Sequence, residues 1–172
     1  MVFFRRSDVI SAGDILNTNR YPRFDPERGG GIDGIIEGLN LILDIAIAGE
    51  NQEGGTVVVP GHGRLGDETD VVNYRDMVTI VRERVVALVD EGKTLEEVQA
   101  ARPTFDYDGS YSNESIGWTG DDFVEAVYND LKRTESHDHR SAEELVAHAA
   151  FFGRGRLRRR PVLAARSAVA AA

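Results

Sequence analysis

The stretch Thr56-Val57-Val58-Val59-Pro60-Gly61-His62-Gly63 constrains this chain more than any other. Thr56 to Val59 predicts a short strand, because β-branched side chains suit a pleated surface, and a run this apolar is expected to be covered on both faces. Pro60 has no amide hydrogen to give a ladder and is expected to end the strand. Gly61 and Gly63 allow a sharp turn and a close approach by another group. His62 then stands at the carboxyl end of a buried strand, where open α/β layers keep their ligand sites. A histidine taken alone more often packs or faces solvent. The two flanking glycines weigh evenly against that plainer reading.

A strand of this kind needs neighbours. Val2-Phe3-Phe4 and Asp8 to Gly13 predict two more, joined as a hairpin at Arg5-Arg6-Ser7. The second runs into Gly13-Asp14, where the carboxylate is as well suited to capping turn amides as to chemistry. Asn17 to Gly31 is rich in turn formers, and a loop of this length in a compact domain commonly serves a site or a lid. Its Tyr21, Arg23 and Phe24 are candidates for substrate contact, although a loop aromatic more often anchors the loop to the body. Ile32, Ile35, Ile36, Leu39, Ile42, Leu43 and Ala46 recur at helical spacing, with Gly49 as the expected stop.

Asp67 or Thr69 caps a second helix bearing Tyr74, Met77, Val78, Val81, Val85 and Leu88, closed by Gly92. Thr94-Leu95-Glu96-Glu97 is a capping box for a short helix that Arg102-Pro103 ends. A loop from Thr104 to Asn113 precedes a helix begun by Thr119 or Asp121. Ser141-Ala142-Glu143-Glu144 opens another that fades near Phe152. Four or five helices thus share about three short strands, fewer than a sheet usually has. Either the helices pack on one another, or part of a sheet comes from elsewhere; the second fits better.

Charge and composition narrow the function. The 172 residues suit one domain and carry 29 acidic against 20 basic side chains. Six of the arginines fall between Gly153 and Ala172, a segment without acids, leaving 14 basic and 29 acidic residues before it. Such an acidic body argues against nucleic acid as the main partner. The absence of cysteine excludes a disulfide scaffold, a thiolate zinc site and a cysteine nucleophile. No apolar run reaches the length of a membrane span, and the amino terminus does not read as a secretory signal, so the default expectation is cytoplasmic. The Arg- and Ala-rich end reads as a solvated or frayed tail.

Ser11-Ala12-Gly13-Asp14-Ile15-Leu16, the glycine-rich loop with its helix, and Val59-Pro60-Gly61-His62-Gly63, in that order and spacing, resemble the metallo-β-lactamase superfamily. The likeness runs from about Val2 to Leu131 and includes the helix near Asp70 and the Thr94-Leu95-Glu96-Glu97 segment. It implies an αβ/βα sandwich with one or two metal ions, usually zinc, above its sheets. The metal lowers the pKa of a bound water for attack on a carbonyl or phosphorus centre. By this resemblance Asp14 matches the carboxylate that bridges two metals and His62 the last histidine ligand, with Gly13, Pro60, Gly61 and Gly63 shaping the turns. Of the loop residues, Tyr21 is a candidate for substrate contact. The substrates implied are small esters, thioesters, lactams or phosphoesters.

The family's His-x-His-x-Asp-His signature belongs upstream of Asp14, yet none of the thirteen preceding residues is histidine. His137-Asp138-His139 is followed by Ser141 and Ala142 where the signature has aspartate and histidine, so it reads as a polar turn. The expected fold class is therefore α/β, an incomplete sandwich equivalent to the second half of that domain. Residues 1–134 would form it, 135–152 an additional helix and 153–172 the tail. The leading expectation is a zinc hydrolase by ancestry, binding zinc weakly or not at all and inactive as the isolated chain. The alternative is a non-catalytic subunit or interaction module that completes its sheet with another chain, a second copy included. Nucleic-acid binding through the arginines ranks third. Two geometric expectations follow: Asp14 and His62 within roughly 4–6 Å of each other, and an unpaired strand edge beside a bare apolar face.

Overall fold

Alternating apolar residues at the start of the chain make the expected hairpin. In the computed structural model, which describes residues 1–134 and Ser136, β1 (Val2–Phe4) pairs antiparallel with β2 (Val9–Asn17). β3 (Val57–His62) lies parallel to β2, giving the order β1-β2-β3. Parallel strands need a long crossover, which α1 (Ile32–Leu43) supplies. Asp8, just before β2, holds the second end of it. Its carboxylate accepts from Thr56 Oγ1 (3.0 Å) and Gln52 Nε2 (2.7 Å), and its carbonyl from the Val57 amide (3.1 Å).

Strand periodicity decides what the sheet buries. Phe3, Ile10 and Val58 form one row across the three strands; Ile10 and Val58 are fully buried, and Phe3 packs on the same core. The adjacent rows, Val2–Ser11–Val59 and Phe4–Val9–Val57, point the other way. There Val2 is 56% and Phe4 53% exposed, and Val57 is exposed as well. Burial of the valine run on both faces is thus not what the described residues show: α1 and α2 cover one face only, and Val58 alone of the three is enclosed.

Pro60 does not end β3, which continues to His62. It pairs with Gly13 where β2 carries an extra residue, and β3 lies at the sheet's edge, so a missing amide hydrogen is tolerated there. Among the described residues, the edge of β3 away from β2 is bridged only at Val58, whose amide and carbonyl both pair with Gly66 (2.8 and 2.9 Å). β2 also runs past Gly13-Asp14 to Asn17, so the loop begins at Thr18.

α1 stops at Leu43 rather than near Gly49, because Ile47 is drawn onto Thr56 by two bonds of 2.8 Å. Its start has a long-range cap: Gly31 offers no side chain, and the Ile32 amide donates to Asp130 Oδ2 at 2.9 Å. α2 (Glu68–Asp90) opens on a capping box between Asp67 and Asp70, and α3 (Leu95–Ala100) on one between Thr94 and Glu97. The expected loop from Thr104 contains a single turn, α4 (Asp108–Tyr111). α5 covers residues 120–134, with Thr119 and Asp122 exchanging cap bonds.

Leu39 and Ile42 of α1, the Val71–Val85 stripe of α2, Val98 of α3 and Phe123, Val124 and Val127 of α5 close the core with Leu16 and Tyr21. Each such side chain contributes about 1.5–3 kcal/mol by leaving water. The chain divides into Met1–Thr134 and Glu135–Ala172. Apart from Ser136, the helix expected over 135–152, the tail over 153–172 and all three carboxyl-terminal histidines lie outside the described residues. No helix among the described residues is long and apolar enough to cross a membrane.

Candidate functional site

At the carboxyl ends of β2 and β3 the chain departs from regular pairing. Gly13 has φ of 59°, in the left-handed region that suits a residue without a β-carbon, and the ladder slips on both sides of it. This bulge turns Asp14 out of the sheet toward β3, a common use of a bulge beside a site. Gly61 passes so close that a β-carbon on it would collide with Asp14 Oδ1 and lie 2.9 Å from the Asp14 amide nitrogen. Thr18 then locks the strand ends together. Its amide donates to the His62 carbonyl (3.0 Å), and its hydroxyl accepts from the Arg64 amide (2.8 Å). Gly63, with φ of 98°, leaves room for that hydroxyl.

These constraints bring the two residues singled out from the sequence together. His62 Nε2 lies 3.4 Å from Asp14 Oδ1, slightly closer than expected, with the side chains 46% and 73% exposed. Pro60 and Gly61 lie within β3 just before His62, and Gly63 follows it. Tyr21 is not with them. It has no exposed surface, stacks on Phe123 with ring centres 4.9 Å apart, and donates its hydroxyl to Asp108 Oδ1 at 2.9 Å. Burial first, then the Asp108 carboxylate, pushes its phenol well above the ordinary range. Tyr21 is a core anchor for the loop, which corrects its candidacy for substrate contact.

Three residues not assigned a site role from the sequence, or only loosely, stand beside the pair. A cavity of about 40 Å³ is lined by Asp14, His62, Asn17, Arg20 and Arg23. Asn17 was read as a turn former; it is 2% exposed and sits opposite His62 in the ladder. Its Nδ2 donates to the Asp14 carbonyl at 3.2 Å, while its Oδ1 is buried without a partner. Arg20 Nε is likewise buried and unpartnered. The guanidinium of Arg23 lies over the Trp118 ring, 4.4 Å from its centre. The only advance signal was the crowding of Asn17, Arg20 and Arg23 just after Asp14.

A larger open groove of about 670 Å³ runs between the end of α2 and the α3–α4 connection, floored by Ala87, Leu88, Pro103 and Phe105. Arg84 on its wall is committed to Asp106 (2.9 Å) and the Pro103 carbonyl (2.8 Å). It has the room but lacks reactive chemistry. The Asp14–His62 end has the chemistry in little room.

A tetrahedral zinc with bonds near 2.0–2.1 Å holds its donor atoms about 3.3 Å apart. The Asp14–His62 separation of 3.4 Å suits two ligands of one such ion, and carboxylate and imidazole are suitable donors. The number of donors falls short of a catalytic set of three. Among the described residues no group of three or more His, Asp or Glu side chains gathers to hold a metal. Comparisons with protein-family models, curated proteins and solved structures find no match for this chain.

Proposed function

We propose that this chain carries part of the metal site of a zinc-dependent hydrolase of the metallo-β-lactamase type, with Asp14 and His62 as two of its ligands. The observation that carries the reading is their convergence to 3.4 Å at the ends of adjacent parallel strands. The mixed α/β fold, a three-stranded sheet and five helices among the described residues, is compatible with one side of the αβ/βα sandwich expected from the sequence. A bound zinc would supply an acidified water for attack on a carbonyl or phosphorus centre. The chain's own contribution is positional. The Gly13 bulge aims the carboxylate, the Thr18 clamp fixes the imidazole's strand, and Gly61 keeps the space between them free. On this reading the ligands beyond these two belong to the missing half of the domain, and the isolated chain holds zinc loosely and is inactive.

A second reading, an interaction module that completes its sheet with another chain, draws support from exposed Val2, Phe4 and Val57 on one sheet face. Zinc titration of the metal-stripped chain, followed by histidine imidazole NMR, separates the two. The hydrolase reading expects the His62 signals to shift at high zinc and Asp14→Asn to abolish the shift. Signals of His62 that stay still at saturating zinc would remove it and leave the interaction module.

A further inference from the structure

Beside the Asp14–His62 pair lies a feature that a metal pair does not require. Most arginines of the body find a carboxylate: Arg64, Arg82 and Arg84 each reach one within 3 Å, and Arg102 does so at 3.7 Å. Arg20 and Arg23 line the cavity and form no ion pair among the described residues. Arg20 has its Nε buried without an acceptor, and Asn17 has its Oδ1 buried without a donor. A buried polar group left unmade costs about 1–3 kcal/mol, so two of them lining one cavity call for a ligand. Neither group is placed by chance. Tyr74 donates its hydroxyl to the Arg20 carbonyl at 3.1 Å, and Asn17 is held by the β2–β3 ladder and by its own bond to the Asp14 carbonyl.

Resting on the reading of Asp14 and His62 as the reacting end, we propose that Arg20, Arg23 and Asn17 are the subsite for the substrate's anionic end. The ligand group is a carboxylate with an O–H or N–H donor on the neighbouring atom, as in a 2-hydroxy acid or an N-acylated amino acid. Guanidinium groups take carboxylate oxygens with short charge-assisted bonds. The free end of Asn17 only accepts, so the ligand must bring a donor to it. A cavity of about 40 Å³ holds such a head group and not a whole substrate. The body of the substrate therefore extends past Asp14 and His62, both open to solvent. The lining sets two guanidinium charges against the Asp14 carboxylate, and Arg23 also feels the Asp122 carboxylate outside the cavity, so Arg20 is the main anchor for an anion.

The test uses the whole chain, stripped of metal by a chelator near neutral pH, where sulfate is a dianion without a proton to donate. Lactate, propionate and inorganic sulfate are titrated to about 0.1 M while arginine Nε–H signals are followed by NMR. Lactate is expected to shift the Arg20 signal and to bind about fivefold or more tightly than propionate or sulfate, the margin of one hydrogen bond. Arg20→Lys, which keeps the charge and loses the Nε donor, is expected to weaken lactate about tenfold. Should that variant fail to fold by circular dichroism, Arg23→Gln serves, with a loss of similar size. No shift with any probe, equal affinity for lactate and propionate, or unchanged binding in the folded variants would overturn the proposal. Lactate binding in a chain whose His62 ignores zinc leaves the subsite standing and removes only the metal reading.

Discussion

Tyr21→Phe deletes one oxygen atom from the interior and leaves the ring in place. The ring keeps its stacking on Phe123 at 4.9 Å and its tilted contact with Tyr111 at 5.8 Å. What is lost is the bond to Asp108 Oδ1 at 2.9 Å, with the Thr104 carbonyl a second acceptor for the same proton at 3.3 Å. Arg102 lies 3.7 Å from the other Asp108 oxygen and does not replace the missing donor. A hydrogen bond to a charged acceptor contributes about 1.5–3 kcal/mol, while the Thr104 carbonyl keeps its bonds from the Tyr107 and Asp108 amides (2.8 and 3.1 Å). The expected destabilisation is therefore about 2 kcal/mol, or a fall in Tm of roughly 5–10 °C for a domain of this size. Urea unfolding should show a lower midpoint at unchanged slope. Tyr21→Leu, which also forfeits both ring pairs, should lose about 1–2 kcal/mol more. A loss under about 0.5 kcal/mol for Tyr21→Phe would refute the anchor and reopen Tyr21 as a substrate contact.

Alkaline stability should fall earlier than in a protein with exposed tyrosines only. Burial pushes the phenols of Tyr21 and Tyr74 up, so the unfolded chain loses these protons above pH 10 while the native one keeps them; stability is complete below that pH and declines above it. Tyr74 alone steepens the decline by about 1.4 kcal/mol per pH unit, measured by urea midpoints across the range, and Tyr74→Phe should remove that share. Two glycine substitutions should differ in sign. Gly61→Ala drives a β-carbon into backbone and carboxylate and should cost about 1–3 kcal/mol, whereas Gly34→Ala in α1 meets nothing and should gain about 0.5–1 kcal/mol, both read from chemical unfolding.

What could be read in advance was local. The Thr94–Glu97 box and the Asp67 cap need only four consecutive residues, and each formed where its pattern stood. The helical stripe of Tyr74, Met77, Val78, Val81 and Val85 needed only its spacing. Features that depend on distant chain were hidden. Nothing near Gly31 announces that α1 is capped by Asp130, 98 positions away. Pro60 inside a strand is permitted by the Gly13 bulge and the sheet's edge, neither of which is written in the valine run. The meeting of Asp14 and His62 was expected only through the resemblance to the metallo-β-lactamase superfamily. Their neighbours Asn17 and Arg20 had no such pattern, because a buried atom lacking a partner exists only once the chain has folded.

The Asp8–Thr56 bond joins residues 48 positions apart and closes the same crossover that brings β3 beside β2. Closing a loop of that length costs about 3–4 kcal/mol of chain entropy before the parallel ladder returns anything. α1 and its junction with the sheet bear that cost, since Ile47, Thr56 and Asp8 form one relay from helix end to strand start. The Asp14–His62 end of the molecule therefore depends on a joint at the opposite end of the same strands. A substitution at Thr56, remote from Asp14 and His62, would release β3 from its anchor and let the pair drift apart while the helices remain packed.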